Sequence, residues 1–250
     1  MIGRALDAVY PRACAGCGTG PWPFCTACAG ALRPLQPPWC ARCGSPSLLP
    51  VPRCRDCPPA PLTSARSAFL YEGPARRAVH RLKFSGWRDV AAAMADAIAA
   101  AGPVPVVDVV TWVPLARGRR AERGYDQARA LAIALAHRLE LPVVRLLRRP
   151  VATAPQAKRS RIERRTAVEG AFRASRASPA RVLLVDDVLT TGSTLAACAT
   201  TLREAGAQEV HAAAAARSLP DRPALHRASR SAYPRVGSRS GLWLPGDAPR

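Results

Sequence analysis

The sequence predicts an α/β fold, a mostly parallel sheet with helices on both faces, preceded by a small cysteine-rich module. Three observations carry that prediction. From residue 63 onward strand and helix signals alternate, the pattern that builds a parallel sheet covered by helices. Before residue 58, where no such alternation exists, eight of the nine cysteines stand in four C-x-x-C pairs. Finally, the acids Asp186 and Asp187 follow directly on the apolar run "RVLLV", at the carboxyl end of a predicted strand, where ligands of such sheets sit.

The elements follow in order. Residues 1–62 hold the paired cysteines among prolines, with too little apolar residue for a core of their own, and "PPAPL" at 58–62 reads as a hinge. Beyond it "SARSAFLYEG" reads as a strand, "GPARRAVHRLKFSG" and "RDVAAAMADAIAAAG" as helices, and "VPVVDVVTWVP" as a buried strand. "AERGYDQARALAIALAHRLE" is the longest helical stretch, and "PVVRLLRR" reads as a strand. "RVLLVDD" is the next strand, "GSTLAACATTLREAGA" a helix ending at Gly206, and "EVHAAAAARS" the last strand. From 218 the chain is rich in Pro, Ser and Arg without periodicity, the composition of a disordered tail. The expected domains are 1–62, 63–217 and a basic tail, 218–250.

The cysteine pairs suit tetrahedral zinc. Two thiolates two residues apart grip one ion from a tight knuckle, and two knuckles close a site. Sequential use, with Cys14, Cys17, Cys25 and Cys28 for one ion and Cys40, Cys43, Cys54 and Cys57 for the other, closes shorter loops than an interleaved cross-brace. Four thiolates per ion leave no open coordination position, so both ions are expected to be structural. Metal binding would then supply the folding energy of the module. A disulfide framework is the rival reading, and it needs an export signal that "MIGRALDAVYPRACAGC" does not contain. Thioredoxin-like chemistry would need a β-α-β pattern around the pairs.

The apolar fraction is 48% and the aromatic fraction 5%, with alanine at many apolar positions, so a core of small side chains is expected. Lys+Arg of 37 against Asp+Glu of 17 gives a formal charge of +20. That favours polyanions such as nucleic acid or phosphorylated ligands. The bases are nearly all arginine, which GC-rich coding would also produce. The apolar run "DVAAAMADAIAAA" is interrupted by Asp96 and falls short of the ~18 residues of a membrane span. A soluble, cytoplasmic protein without membrane insertion is expected, its thiols reduced.

After the acid pair, Thr190-Thr191-Gly192-Ser193-Thr194 runs into a helix N-terminus, where free N–H groups and the positive dipole end bind an anion. Gly192 lets the backbone approach closely, and the hydroxyls add donors. Two carboxylates beside a phosphate cradle face hydroxyls or a metal most naturally, which points to a sugar diol with Mg²⁺. A Walker B reading of the acids needs a Gly-Lys pair that the chain lacks.

The run "VLLVDDVLTTGSTL" resembles the phosphoribosyl pyrophosphate signature of type I phosphoribosyltransferases: apolar strand, acid pair, then T-G-x-T. Joined to "RGYDQA" at 123–128, "KFSG" at 83–86 and the four knuckles, it is similar, over residues 10–217, to the ComF family of competence-associated proteins with an N-terminal zinc ribbon. The resemblance implies a type I phosphoribosyltransferase-like domain. Asp186 and Asp187 would bind the ribose hydroxyls, and Thr190, Thr191, Gly192, Ser193 and Thr194 the 5′-phosphate. Pro114, Leu115 and Arg117 would lie near the pyrophosphate, with Arg123, in the family's own motif, close to the same pocket. It further implies phosphoribosyl pyrophosphate with Mg²⁺ as ligands, an acceptor the sequence does not name, and single-stranded DNA and the DNA-uptake machinery as partners. The alternative is an accessory protein that binds single-stranded DNA and keeps the pocket as a sensor or vestige.

The chain departs from the family at Asp126 and Ala167, where Asn is usual. Arg149 to Arg161 reads as a long basic loop that would close over substrate with Lys158, Arg159 and Arg161 on phosphates, or as a solvated charge run. It carries no stacking aromatic of the kind single-stranded DNA needs. His80 and His137 read as surface or packing residues, and Cys198 as core.

Overall fold

The computed structural model describes residues 13–84, 87, 89–116, 118, 123–150 and 170–219. Four parallel strands form the main sheet, in the order β1-β6-β5-β2: β1 Ser64–Leu70, β2 Val109–Trp112, β5 Arg181–Leu189 and β6 Glu209–Arg217. Two short strands, β3 (Leu147–Arg148) and β4 (Arg173–Ala174), pair antiparallel beside it. The helices are α1 Thr26–Gly30 in the cysteine-rich segment, α2 Gly73–Phe84, α3 Val90–Ala100, α4 Gln127–Arg138 and α5 Ser193–Glu204.

The sheet carries helices on both faces, as the alternation predicts. On one face Leu82, Met94, Leu131 and Leu135 of α2, α3 and α4 pack on Val110, Leu183 and Val185. On the other, Leu195, Cys198 and Leu202 of α5 pack on Val182, Leu184 and Val210, joined by Cys40 and Cys43. Small residues dominate where layers meet closest: Ala212 to Ala216 of β6 are all buried, as are Ala91 and Ala95 of α3. The loss of large side chains is offset by close approach of helix and sheet, which keeps the interior dense.

Three elements differ from the sequence reading. The strand read over 104–114 is four residues long, because Pro105 has no N–H to give a ladder and Asp108 instead accepts from the Arg181 N–H (2.9 Å). "PVVRLLRR" divides: Val143 bridges Val110 in parallel, whereas Leu147 and Arg148 turn away to meet β4. The long helix starts only at Gln127. Gly124 takes φ 72°, and the Asp126 side chain caps the helix by accepting from the Arg129 N–H (3.2 Å).

The cysteine-rich segment covers the outer edge of β1. Leu35 N–H donates to Ala68 O, Leu70 N–H to Arg33 O, and Ala65 N–H to Arg42 O, at 2.8–2.9 Å. The edge is thereby closed to other strands. Among the described residues no helix is long and apolar enough to cross a membrane.

Candidate functional site

β2 ends at Trp112, in register with Val185, while β5 runs on beside β6 through Asp186 and Asp187 to Leu189. Pro114, buried, and Leu115, half-buried, leave β2 at the level where Asp186 and Asp187 leave the core. Consecutive strand residues point to opposite sides, and the two acids find different surroundings. Asp187, 5% exposed, turns toward α2 and α4. Lys83 Nζ lies 2.6 Å from its Oδ1, and Gln127 Nε2 donates to its Oδ2 at 3.0 Å. Asp186 lies toward α5, where burial first and then the Asp186 charge push the Cys198 thiol up. Its carboxyl is itself pushed up to about 8, first by burial and then by Asp187, against the pull of the Asp187 N–H (2.8 Å) and Lys83. Lys83 and the Asp187 N–H only partly offset what burial and the neighbouring carboxylate do to Asp186.

The loop after β5 is open. Thr190 and Thr191 are exposed, Ser193 and Thr194 half-buried, and Thr191 Oγ1 lies 3.0 Å from Ser193 Oγ. Gly192 is the N-cap of α5, at φ 78°, with no side chain to cap it, and Thr191 Oγ1 accepts at 3.4 Å from the Ser193 N–H. The first N–H groups of a twelve-residue helix with no acid in its first turn therefore face this loop as donors. The turn requires glycine twice over, since a Cβ there would also fall 2.6 Å from Pro58 Cβ.

The R-G-Y-D-Q stretch closes the third side. Asp126 Oδ2 accepts from the Leu115 N–H (3.4 Å) while its Oδ1 caps α4, so one carboxylate ties the β2 loop to the helix that presents Gln127. Asn can make the same cap, which explains why Asp is accepted there. Arg123 lies over the Phe84 ring, 4.6 Å from its centroid. Arg117, Ala167, Lys158, Arg159 and Arg161 lie outside the described residues. Lys83 and Gln127, which hold Asp187, belong to "KFSG" and "RGYDQA", and nothing in the sequence alone assigns them that role. His80 is exposed and stacks on Phe84 at 4.6 Å.

The cysteines group as the shorter loops predict. Cys14, Cys17, Cys25 and Cys28 bring their sulfurs within 4.8 Å of one another, and so do Cys40, Cys43, Cys54 and Cys57. Thiolates on one tetrahedral zinc, at ~2.3 Å each, sit ~3.8 Å apart. The Sγ pairs here are 3.8 Å (Cys17–Cys25), 3.6 Å (Cys40–Cys57), 3.5 Å (Cys43–Cys54) and 3.8 Å (Cys54–Cys57), and none of the cysteines is disulfide-bonded. Backbone N–H groups point at the sulfurs, from Gly16 and Cys25 to Cys14 (3.3 and 3.2 Å) and from Cys54 to Cys40 (3.2 Å). Burial and the other three thiols push Cys28 up to about 12. Four such thiols ionise together only around a cation, so both donor sets fit a structural Zn²⁺.

A phosphoribosyl transferase domain matches residues 121–239, and a double zinc ribbon domain matches residues 5–58. The DNA utilization protein YhgH of Salmonella typhi is 33% identical over 210 residues, 79% of this chain and 92% of that protein. The chain belongs to the ComF family. Competence protein ComFC of Bacillus subtilis (strain 168) is 28% identical to this ComF-family chain over 195 residues, 73% of this chain and 78% of that protein. Competence protein F of Haemophilus influenzae is 28% identical over 198 residues, 73% and 86% of the two chains. Among solved structures, the glutamine phosphoribosylpyrophosphate amidotransferase of B. subtilis complexed with ADP and GMP matches at a TM-score of 0.39 and 24% identity. That match covers 55% of this chain and 30% of the amidotransferase. The ComF-family chain thus carries a type I phosphoribosyltransferase domain behind a double zinc ribbon.

Proposed function

We propose that this chain binds phosphoribosyl pyrophosphate with Mg²⁺ at the carboxyl ends of β2 and β5 and transfers the ribosyl phosphate to an acceptor in the handling of incoming DNA, in the cytoplasm. The N-terminus of α5 at Gly192, ringed by hydroxyls and with the acid pair a few residues before it, carries this reading. Thr190 to Thr194 hold the 5′-phosphate through hydroxyls and helix N–H groups. Asp186 and Asp187 face the ribose hydroxyls, with Lys83 and Gln127 orienting Asp187. Pro114, Leu115 and Arg123 line the pyrophosphate side, and Arg117, outside the described residues, is assigned to it from the sequence alone.

The acid pair fits a divalent cation, because Asp186 is raised by burial beside Asp187 with Lys83 as its nearby positive charge. Mg²⁺, when bound, neutralises charge on the departing pyrophosphate. The protein's own contribution is to align C1 of the ribose between leaving group and acceptor, and to place carboxylates near the cationic sugar that forms. The division into 1–62, 63–217 and 218–250 belongs to the same reading: a zinc module, the transferase domain and a basic tail that adds affinity for polyanions.

The names of the relatives concern DNA utilization and competence. With a charge of +20 they favour a second reading, a single-stranded DNA-binding accessory protein whose pocket senses the ligand. One assay separates them: pyrophosphate release from phosphoribosyl pyrophosphate and Mg²⁺ by zinc-loaded protein, with and without single-stranded DNA, beside Asp187→Asn. Release that the substitution abolishes, with salt-sensitive DNA binding unchanged, is the expected result. Ligand binding without release in any condition would favour the accessory reading, and no ligand binding at all would overturn the pocket.

A further inference from the structure

Arg217 ends β6 and is 1% exposed, among the largest fully buried side chains of the protein. Its Nη1 donates to Cys43 O at 2.8 Å and its Nη2 to Asp56 O at 3.1 Å, while its Nε is buried without a partner. Among the described residues no ion pair joins it to a carboxylate. A guanidinium sunk among carbonyls alone is poorly compensated. Both carbonyls belong to the knuckles of the second cysteine set, whose four thiolates around Zn²⁺ leave a net charge of minus two.

The first set is clasped differently. Arg77 Nε and Arg81 Nη1 reach Gly16 O from α2, at 2.6 and 2.7 Å, from exposed and half-buried positions. Their charge is solvated whether or not metal is present. Arg217 has no such recourse.

Arg217 also stands beside the anion loop. It is in register with Leu189, the last residue of β5, and Ser218 N–H donates to Leu189 O at 2.9 Å. Pro58, next to Cys57, is the wall against which Gly192 turns, and Arg42 Nη1 fixes the Pro58 carbonyl at 2.7 Å.

We propose that Arg217 is the buried counter-cation of the second cysteine centre, and that zinc at this centre, through Arg217 and Pro58, holds the anion loop in its binding shape. The loop's ligand rests on the function proposed above; the pairing of Arg217 with the zinc centre does not. When zinc leaves, the knuckles whose carbonyls hold Arg217 lose the ion that draws them together, and the charged centre beside Arg217 goes with it. Arg217 is then a buried charge without a counter-ion, and the 54–58 turn that walls Gly192 loses its anchor.

The test uses full-length, zinc-loaded protein and two readouts: zinc transfer to a chromogenic chelator, and binding of inorganic pyrophosphate with Mg²⁺. In Arg217→Gln one of the two ions should leave at least tenfold faster and the other at the wild-type rate, and pyrophosphate should bind at least tenfold more weakly. Arg217→Lys, which restores charge, should recover most of the slow release. Arg77→Gln should leave pyrophosphate binding and the slower ion unchanged. Wild-type release of both ions from Arg217→Gln would refute the counter-cation. If that variant does not fold, stepwise chelation of wild-type protein decides: pyrophosphate binding should survive the first ion lost, from the more exposed set that contains Cys17, and vanish with the second. Binding that survives loss of both ions would overturn the link to the loop. Wild-type protein that binds no pyrophosphate would instead sink the proposed function, with the release rates still judging Arg217.

Discussion

Replacing Gly192 by alanine asks the anion loop to accept one carbon it has no room for. Gly192 sits at φ 78° and ψ 4°, in the left-handed region. A side chain there costs ~1–2 kcal/mol before any contact is counted. The new Cβ would meet Pro58 at 2.6 Å from Cβ, 3.0 Å from Cγ and 3.2 Å from Cα. A proline ring has no rotamer to turn aside, and the Arg42 bond to its carbonyl holds the backbone, so overpacking adds ~1–3 kcal/mol. The sum, ~2–5 kcal/mol, corresponds to a fall in Tm of roughly 4–20 °C for a chain of this size. Thermal unfolding by circular dichroism in excess zinc reads it, with Gly30→Ala as control: nothing lies within 4 Å of the Cβ that substitution adds. The control should change stability by no more than ~1 kcal/mol. Gly192→Ala should also bind pyrophosphate more weakly, because relief of the clash displaces either the loop or Pro58. A Gly192→Ala protein that melts with the wild type would refute the close packing of knuckle on loop.

Two further predictions concern the acids. Asp186 holds its proton up to about 8 in the fold, against about 3.9 in an unfolded chain. Between those values the native state carries the extra proton, so its contribution to stability is present at low pH and lost as pH rises through the folded pKa. Asp186→Asn, neutral throughout, should melt higher than wild type at pH 9 and by a much smaller margin at pH 5, in scans without Mg²⁺ or phosphates; the same margin at both pH values would count against the raised carboxyl of Asp186. Asp126→Ala should cost ~0.5–2 kcal/mol through the lost cap of α4, and Asp126→Asn far less, measured by the same unfolding.

What could be read from the sequence was what is local. The acid pair, the hydroxyl loop and Gly192 lie within nine residues, and each C-x-x-C pair is its own signal, so periodicity and spacing reached them. Lys83 and Gln127 meet Asp187 from helices far away in the chain, and only the closing of the sheet brings the three together. Gln127 had a visible sign, standing one residue past a capping Asp, where a side chain at a helix start faces the strand ends. The extent of β2 was misread because apolar residues beside Pro105 look like a strand while offering fewer donors. The helix over 121–140 was read too long because Gly124 and Asp126, both stop signals, stood inside an otherwise periodic stretch.

Net charge shows the limit most plainly. Counted residue by residue, +20 reads as a surface for polyanions. Yet Arg42, Arg66, Arg77, Arg81 and Arg217 all donate to backbone carbonyls of the cysteine-rich segment or its hinge. The thiolates they surround are counted as neutral in that sum; with two zinc ions each centre carries minus two, and the charge offered to a partner falls to about +16. Composition could not assign these arginines, since an arginine against a carbonyl and one facing solvent are the same letter. Among the described residues the cations at the site itself are Lys83 beside Asp187 and Arg123 over Phe84, so affinity for a phosphorylated ligand should respond directly to substitutions there and, among the clasped arginines, only at Arg217, which holds the loop.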